Sequence, residues 1–225
     1  MYPMRSVVVS VFLVALAAPA MATPVTININ GHLTSVPGTL SSAFIVGETF
    51  TIHYSYDTTT GNAGSSSLGI YYYQSYDLDI GSGATEFTLH APAGGVFANS
   101  IQILNNPAFD AYTVDATDNL TFTNAALFAP TYTLVQAKFQ YSYFASQFSS
   151  TALLPGAPPP GGGLSFDMEF RPDPQSLDGR VFVFGTFDSV TATLPQAPAP
   201  SPATALLFAP GLLALAAQRR TARRR

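Results

Sequence analysis

The sequence predicts an all-β protein, an antiparallel β-sandwich with a closed barrel as the alternative, flanked by a short apolar segment at each end. Three observations predict it. Apolar and polar residues alternate along most of the middle of the chain, the pattern of strands with one buried face. Turn residues punctuate those runs at short intervals. No stretch of the middle carries the 3.6-residue periodicity of an amphipathic helix. Setting the ends aside leaves about 175 residues, the size of one domain and enough to bury a core without staples. The chain has no cysteine, which excludes disulfides, thiol nucleophiles and thiolate metal sites.

The elements follow in chain order. Arg5 precedes an apolar run at 7–18, and Ala20-Met21-Ala22 supplies a small-x-small cut. Residues 1–22 are therefore expected to be a secretion signal, removed after Ala22 by signal peptidase. An apolar run of about twelve residues is too short to span roughly 30 Å of hydrocarbon. The body, 23–196, opens with Val25, Ile27 and Ile29 alternating with Thr26, Asn28 and Asn30. Val36-Pro37-Gly38-Thr39 suits a type II turn. Further strands are expected at 40–46, 50–56, 70–80, 85–90, 100–104, 111–114, 120–124, 132–144, 166–171 and 181–194. Residues 57–69 and 154–163 are read as loops, the second because the two strands after it are too few to stand alone. Val181-Phe182-Val183-Phe184 is apolar on both faces, which suits a central strand covered on both sides, with Gly185 at a bulge.

The tail, 197–225, has three parts: Ala197-Pro198-Ala199-Pro200, an apolar segment at 203–217, and Arg219, Arg220, Arg223, Arg224 and Arg225. As a helix the apolar part reaches roughly 22 Å, short for a stable span. The arginines stop transfer and stay on the cytoplasmic side. This layout resembles a PEP-CTERM sorting signal, with Ala199 where that family usually has Glu. The resemblance implies an inner-membrane intermediate, an exosortase-type processing enzyme as partner, and display at the surface of a Gram-negative bacterium or in its extracellular matrix. Leu194-Pro195-Gln196-Ala197-Pro198 also resembles a sortase signal, without its Thr-Gly. In the body, Val46-Gly47-Glu48-Thr49-Phe50-Thr51, Tyr54-Ser55-Tyr56-Asp57 and the stretch from Phe184 to Thr191 resemble a type that recurs in front of such tails. That type implies a β-sandwich and no known activity.

Charge narrows the function. All thirteen acidic residues lie between Glu48 and Asp188, against Lys138, Arg171 and Arg180 alone, so the body carries a formal −10. Nucleic acid is not expected as a partner, because phosphate contacts need Lys and Arg. Serine elbows, zinc helices, P-loops and dinucleotide fingerprints are all missing, so no catalytic residue, metal or cofactor is assigned. Asp77 and Asp79 stand two apart as in a calcium loop, but the third acidic position and the closing Glu are absent. A solvated acidic face is the better expectation there and for Asp115/Asp118 and Asp167/Glu169. His32, His53 and His90 are scattered singly on strands or turns. The most suggestive set is Tyr71, Tyr73, Asp77 and Asp79, which share one face if alternation runs unbroken; rings beside carboxylates hold sugars. The expected function is an exported surface or matrix protein with a structural, adhesive or sugar-binding role. The alternative is an enzyme acting on extracellular polysaccharide through Asp and Glu.

Overall fold

A computed structural model of the chain describes residues 24–82, 86–93, 99–124, 128, 131–144, 147–159 and 163–194. The chain divides into two units, Met1–Leu194 and Pro195–Arg225. The signal segment 1–22 and the whole sorting tail, from Ala197 to Arg225, lie outside the described residues.

The described part of the first unit is all-β, with no α-helix. Its strands are β1 (Pro24–Ser35), β2 (Thr49–Asp57), β3 (Leu68–Tyr72), β4 (Ser75–Ile80), β5 (Phe87–Pro92), β6 (Ser100–Asn106), β7 (Phe109–Ala116), β8 (Thr121–Phe122), β9 (Thr133–Tyr143), β10 (Gly163–Arg171) and β11 (Val181–Thr193). They form one eleven-stranded sheet in the order β3-β6-β7-β9-β10-β11-β1-β2-β4-β5-β8, and every pairing is antiparallel. Antiparallel strands are present at most of the expected places, but hydrogen bonding runs through all of them instead of dividing into two sheets.

That sheet curls into a half-barrel around its own core. Five strand steps separate β7 from β2, roughly 24 Å if the sheet were flat. Yet the Tyr54 and Tyr112 hydroxyls are 3.0 Å apart. Phe50 of β2 likewise meets Phe166 of β10, three strands away, with ring centroids 4.4 Å apart. The curl is built from irregularities in the long central strands. Register shifts fall between Asn30/Gly31 and Leu33/Ser35 of β1 and at Glu169/Phe170 of β10, and bulges increase twist and bend. Glycine makes the tightest approach. A Cβ on Gly31 would lie 2.4 Å from Phe50 Cζ and 2.3 Å from the Thr186 carbonyl, and one on Gly185 would lie 2.6 Å from Phe50 Cε1. Two bare backbones thus open the hollow that the Phe50 ring fills. Gly185 meets the expectation of a bulge in part: the extra residue, Thr34, sits on the neighbouring strand.

The concave face is the core, and it is aromatic. Phe50, Phe139, Phe166, Phe170, Tyr54, Tyr56, Tyr76 and Tyr112 are all essentially inaccessible. The loop at 154–159 is tied to this face by hydroxyls: Tyr56 donates to the carbonyls of Leu154 and Gly156, and Tyr143 to that of Pro159. Two local expectations are corrected. Residues 40–46 form no strand; a single 3-10 turn at Gly38–Leu40 leads into turns that insert Leu40, Ala43 and Phe44 into the core. Gly38 lacks the positive φ of a type II turn.

Candidate functional site

Because a single curled sheet holds the core on its concave side, its convex face is left as surface, and the polar half of each alternating strand decorates it. Two rows run across neighbouring strands in register. One is Thr191, Asn28, His53, Asp77, His90 and Thr121, on β11, β1, β2, β4, β5 and β8. The other is Ser189, Asn30, Thr51, Asp79 and Thr88, on β11, β1, β2, β4 and β5. Cross-strand side-chain bonds knit both rows. Asn30 Nδ2 donates to Ser189 Oγ at 3.2 Å, Thr51 Oγ1 to Asn30 Oδ1 at 3.2 Å, and the Thr88 and Thr123 hydroxyls meet at 2.8 Å.

Every histidine is oriented through Nδ1 by an acceptor on an adjacent strand: His32 by Asp188 at 3.0 Å, His53 by Asn28 at 2.5 Å, and His90 by Asp77 at 2.7 Å. Donation from Nδ1 leaves Nε2 as the free acceptor of the neutral ring. At one end of the rows Asp77, Asp79, Thr88, His90, Thr121 and Thr123, with Leu89 and Phe122, line a shallow depression. Asp79 is one of its two acids. Burial raises its carboxyl pKa above the ordinary value, Glu86 and Asp77 add to this, and His53 opposes it. The depression therefore offers carboxylate and imidazole acceptors with hydroxyls that donate or accept, an arrangement suited to a ligand rich in hydroxyl groups.

The four residues read as one sugar-binding face do not come together. Residues 70–80 are two strands, not one: β3 lies at one edge of the sheet and β4 between β2 and β5. A bend at Tyr73 and Gln74 breaks the alternation. Tyr71 and Tyr73 turn into the core, 4% and 1% exposed. Their hydroxyls donate to the Thr151 and Asp115 carbonyls. Asp77 and Asp79 stay on the convex face. His53 and His90, read singly in the sequence, join them. The signal was available: polar residues share one parity at 51–55, 75–79 and 88–90, but only the pairing aligns those runs.

Asp167 and Glu169 are not solvated, as expected of them, but buried. Lys138 lies 3.5 Å from Asp167, and Arg171 Nε donates to Glu169 at 2.7 Å. Asp115, on the other side of Lys138 in the same row, is held by Gln136 at 2.9 and 3.0 Å. Burial raises the Asp115 and Asp167 carboxyls, against the pull of Gln136 and Lys138 respectively. Among the described residues no group of three or more His, Asp or Glu is placed to hold a metal ion. Compared with protein-family models, curated proteins and solved structures, the chain matches none.

Proposed function

We propose that this chain is an exported protein of the cell surface or extracellular matrix whose β body binds polyhydroxylated polymer on its convex face. Its N-terminal signal is cut after Ala22. Its tail holds it in the inner membrane until an exosortase-type enzyme acts at Ala197-Pro198-Ala199-Pro200, and the arginines from Arg219 to Arg225 fix the orientation. The order of charge, apolar run and small-residue cut supports the first step, and the Pro-rich, apolar, basic succession supports the second. The observation that carries the binding role is the depression of Asp77, Asp79 and His90 among three threonine hydroxyls on a sheet face that no other layer of described residues covers.

In native gels cast with mixed-linkage β-glucan, dextran or alginate, the mature protein should be retarded by at least one polymer. An Asp77→Ala/Asp79→Ala double variant should lose at least fivefold of that retardation. Equal retardation of variant and wild type would remove the depression from the binding role.

One observation favours a second reading, hydrolysis of polysaccharide: Asp79, with its raised pKa, stands beside Asp77 as an acid beside a base. Geometry weighs against it. Glycosidase carboxylates flank the bond they break, whereas these two project in parallel from one strand and reach only one side of a bound ring. Release of reducing ends by the wild type, lost in Asp79→Asn, would favour the enzyme.

A further inference from the structure

We infer a second carbohydrate-binding patch, centred on Phe182 and Phe184 of β11, which makes one chain a bridge between two polymer strands; the inference rests on the proposed binding role of the convex face. β11 is the sixth of the eleven strands, so both its edges are paired. Its alternation sends Val183, Gly185 and Phe187 into the core and Phe182 and Phe184 outward, and the exposed Arg180 immediately precedes it. The Phe182 and Phe184 rings lie nearly parallel, 19° apart in plane and 5.8 Å between centroids. The Arg180 guanidinium sits 5.6 Å from the Phe182 centroid. Among the described residues Arg180 makes no ion pair. Phe184 is 44% exposed.

The neighbouring strand fixes this ladder in place. Asp167 stands opposite Phe184 and Glu169 opposite Phe182 in the β10–β11 register. Both carboxylates are buried at the foot of the rings and clamped by Lys138 and Arg171. Arg180 thus lies against one ring, while Lys138 and Arg171 neutralise the carboxylates opposite the pair. The chemistry is that of a sugar site: exposed ring surface for the C–H face of a pyranose, with the Arg180 guanidinium beside it to donate to hydroxyls.

The two patches are separate. Three strand steps lie between β11 and β4, about 14 Å across the sheet. Along the strands, Asp79 shares its row with Ser189, five residues on from Phe184. Two sites on one sheet let a single chain hold two polymer strands at once, a structural role that neither site performs alone.

The test compares mature wild type, Asp77→Ala/Asp79→Ala and Phe182→Ala/Phe184→Ala for retardation in polymer gels and for the viscosity each adds to a β-glucan, dextran or alginate solution. Each variant should keep part of the retardation, at least fivefold reduced, and lose the added viscosity. Phe184→Trp should keep both and stands in if the alanine variant does not fold. Phe184→Ala alone should melt within about 2 °C of wild type, since the ring is on the surface. Added viscosity undiminished in Phe182→Ala/Phe184→Ala would overturn the second patch while leaving the first. So would self-association without polymer that this variant abolishes, which would assign the rings to a second copy. Binding lost only with the phenylalanines would keep this patch and remove the depression. Wild type that binds none of the three polymers would overturn both.

Discussion

Asp110 shows how single residues stabilise this fold without disulfides. Its side chain is buried, and no cation pairs with it among the described residues. Burial pushes its carboxyl up, but backbone N–H groups of Phe148, Gln147 and Asn106 donate to it and hold it below the ordinary value. A carboxylate with a depressed folded pKa stabilises above its unfolded pKa and loses that stability as pH falls through the folded value. Asp110→Asn should therefore cost about 1–3 kcal/mol at neutral pH. In urea melts its deficit relative to wild type should shrink as pH falls below about 4; a deficit constant with pH would show that charge is not the cause. Nothing in the sequence singles Asp110 out from the other acids, because its partners at 147 and 148 are remote in the chain. The same holds for the site. Asp77 and Asp79 were legible as a same-face pair, but their partners His53 and His90 come from other strands, and Tyr71 and Tyr73 were misplaced by a bend that no glycine or proline marks.

At the scale of elements, alternation read most strands correctly, and it failed where continuity was assumed. The 70–80 run is β-forming throughout, so propensity alone could not show that it changes neighbours at Tyr73. Residues 40–46 are apolar enough for a strand, yet they cap the core as turns. The curl itself depends on close approach, visible only once Gly31, Gly185 and Phe50 are brought together. Gly31→Ala should destabilise by about 1–3 kcal/mol, because its Cβ meets backbone as well as ring. Gly31→Ala with Phe50→Leu should recover part of that loss in thermal melts, and no recovery would place the strain at the Thr186 carbonyl. The edges are also managed. Ala63 and Ser65 donate backbone N–H groups to Ile70 and Leu68 and cover the free side of β3. At the other edge the two-residue β8 covers part of β5, where the Thr121 hydroxyl donates to the His90 carbonyl, and past β8 the Asn124 amide donates to the carbonyl of Glu86. Such blunted edges discourage pairing between chains.

At the scale of the molecule, the body is a strongly acidic, disulfide-free sheet whose core lies on one face and whose polar rows lie on the other. Under the proposed sorting, deleting residues 197–225 should release the body into the medium, and unchanged membrane retention would remove the tail from that role. Mass spectrometry of the released protein should find Thr23 at its N-terminus. The most direct measurement is a titration of the mature, isotope-labelled body with the polymer that retards it, followed by amide and methyl NMR. The expected shifts fall on β4, β5 and β8 around Asp77, Asp79 and His90 and on β11 around Phe184, while the concave tyrosines Tyr54, Tyr71 and Tyr112 stay still. Shifts centred on those tyrosines, or none on the convex strands at saturating polymer, would contradict it.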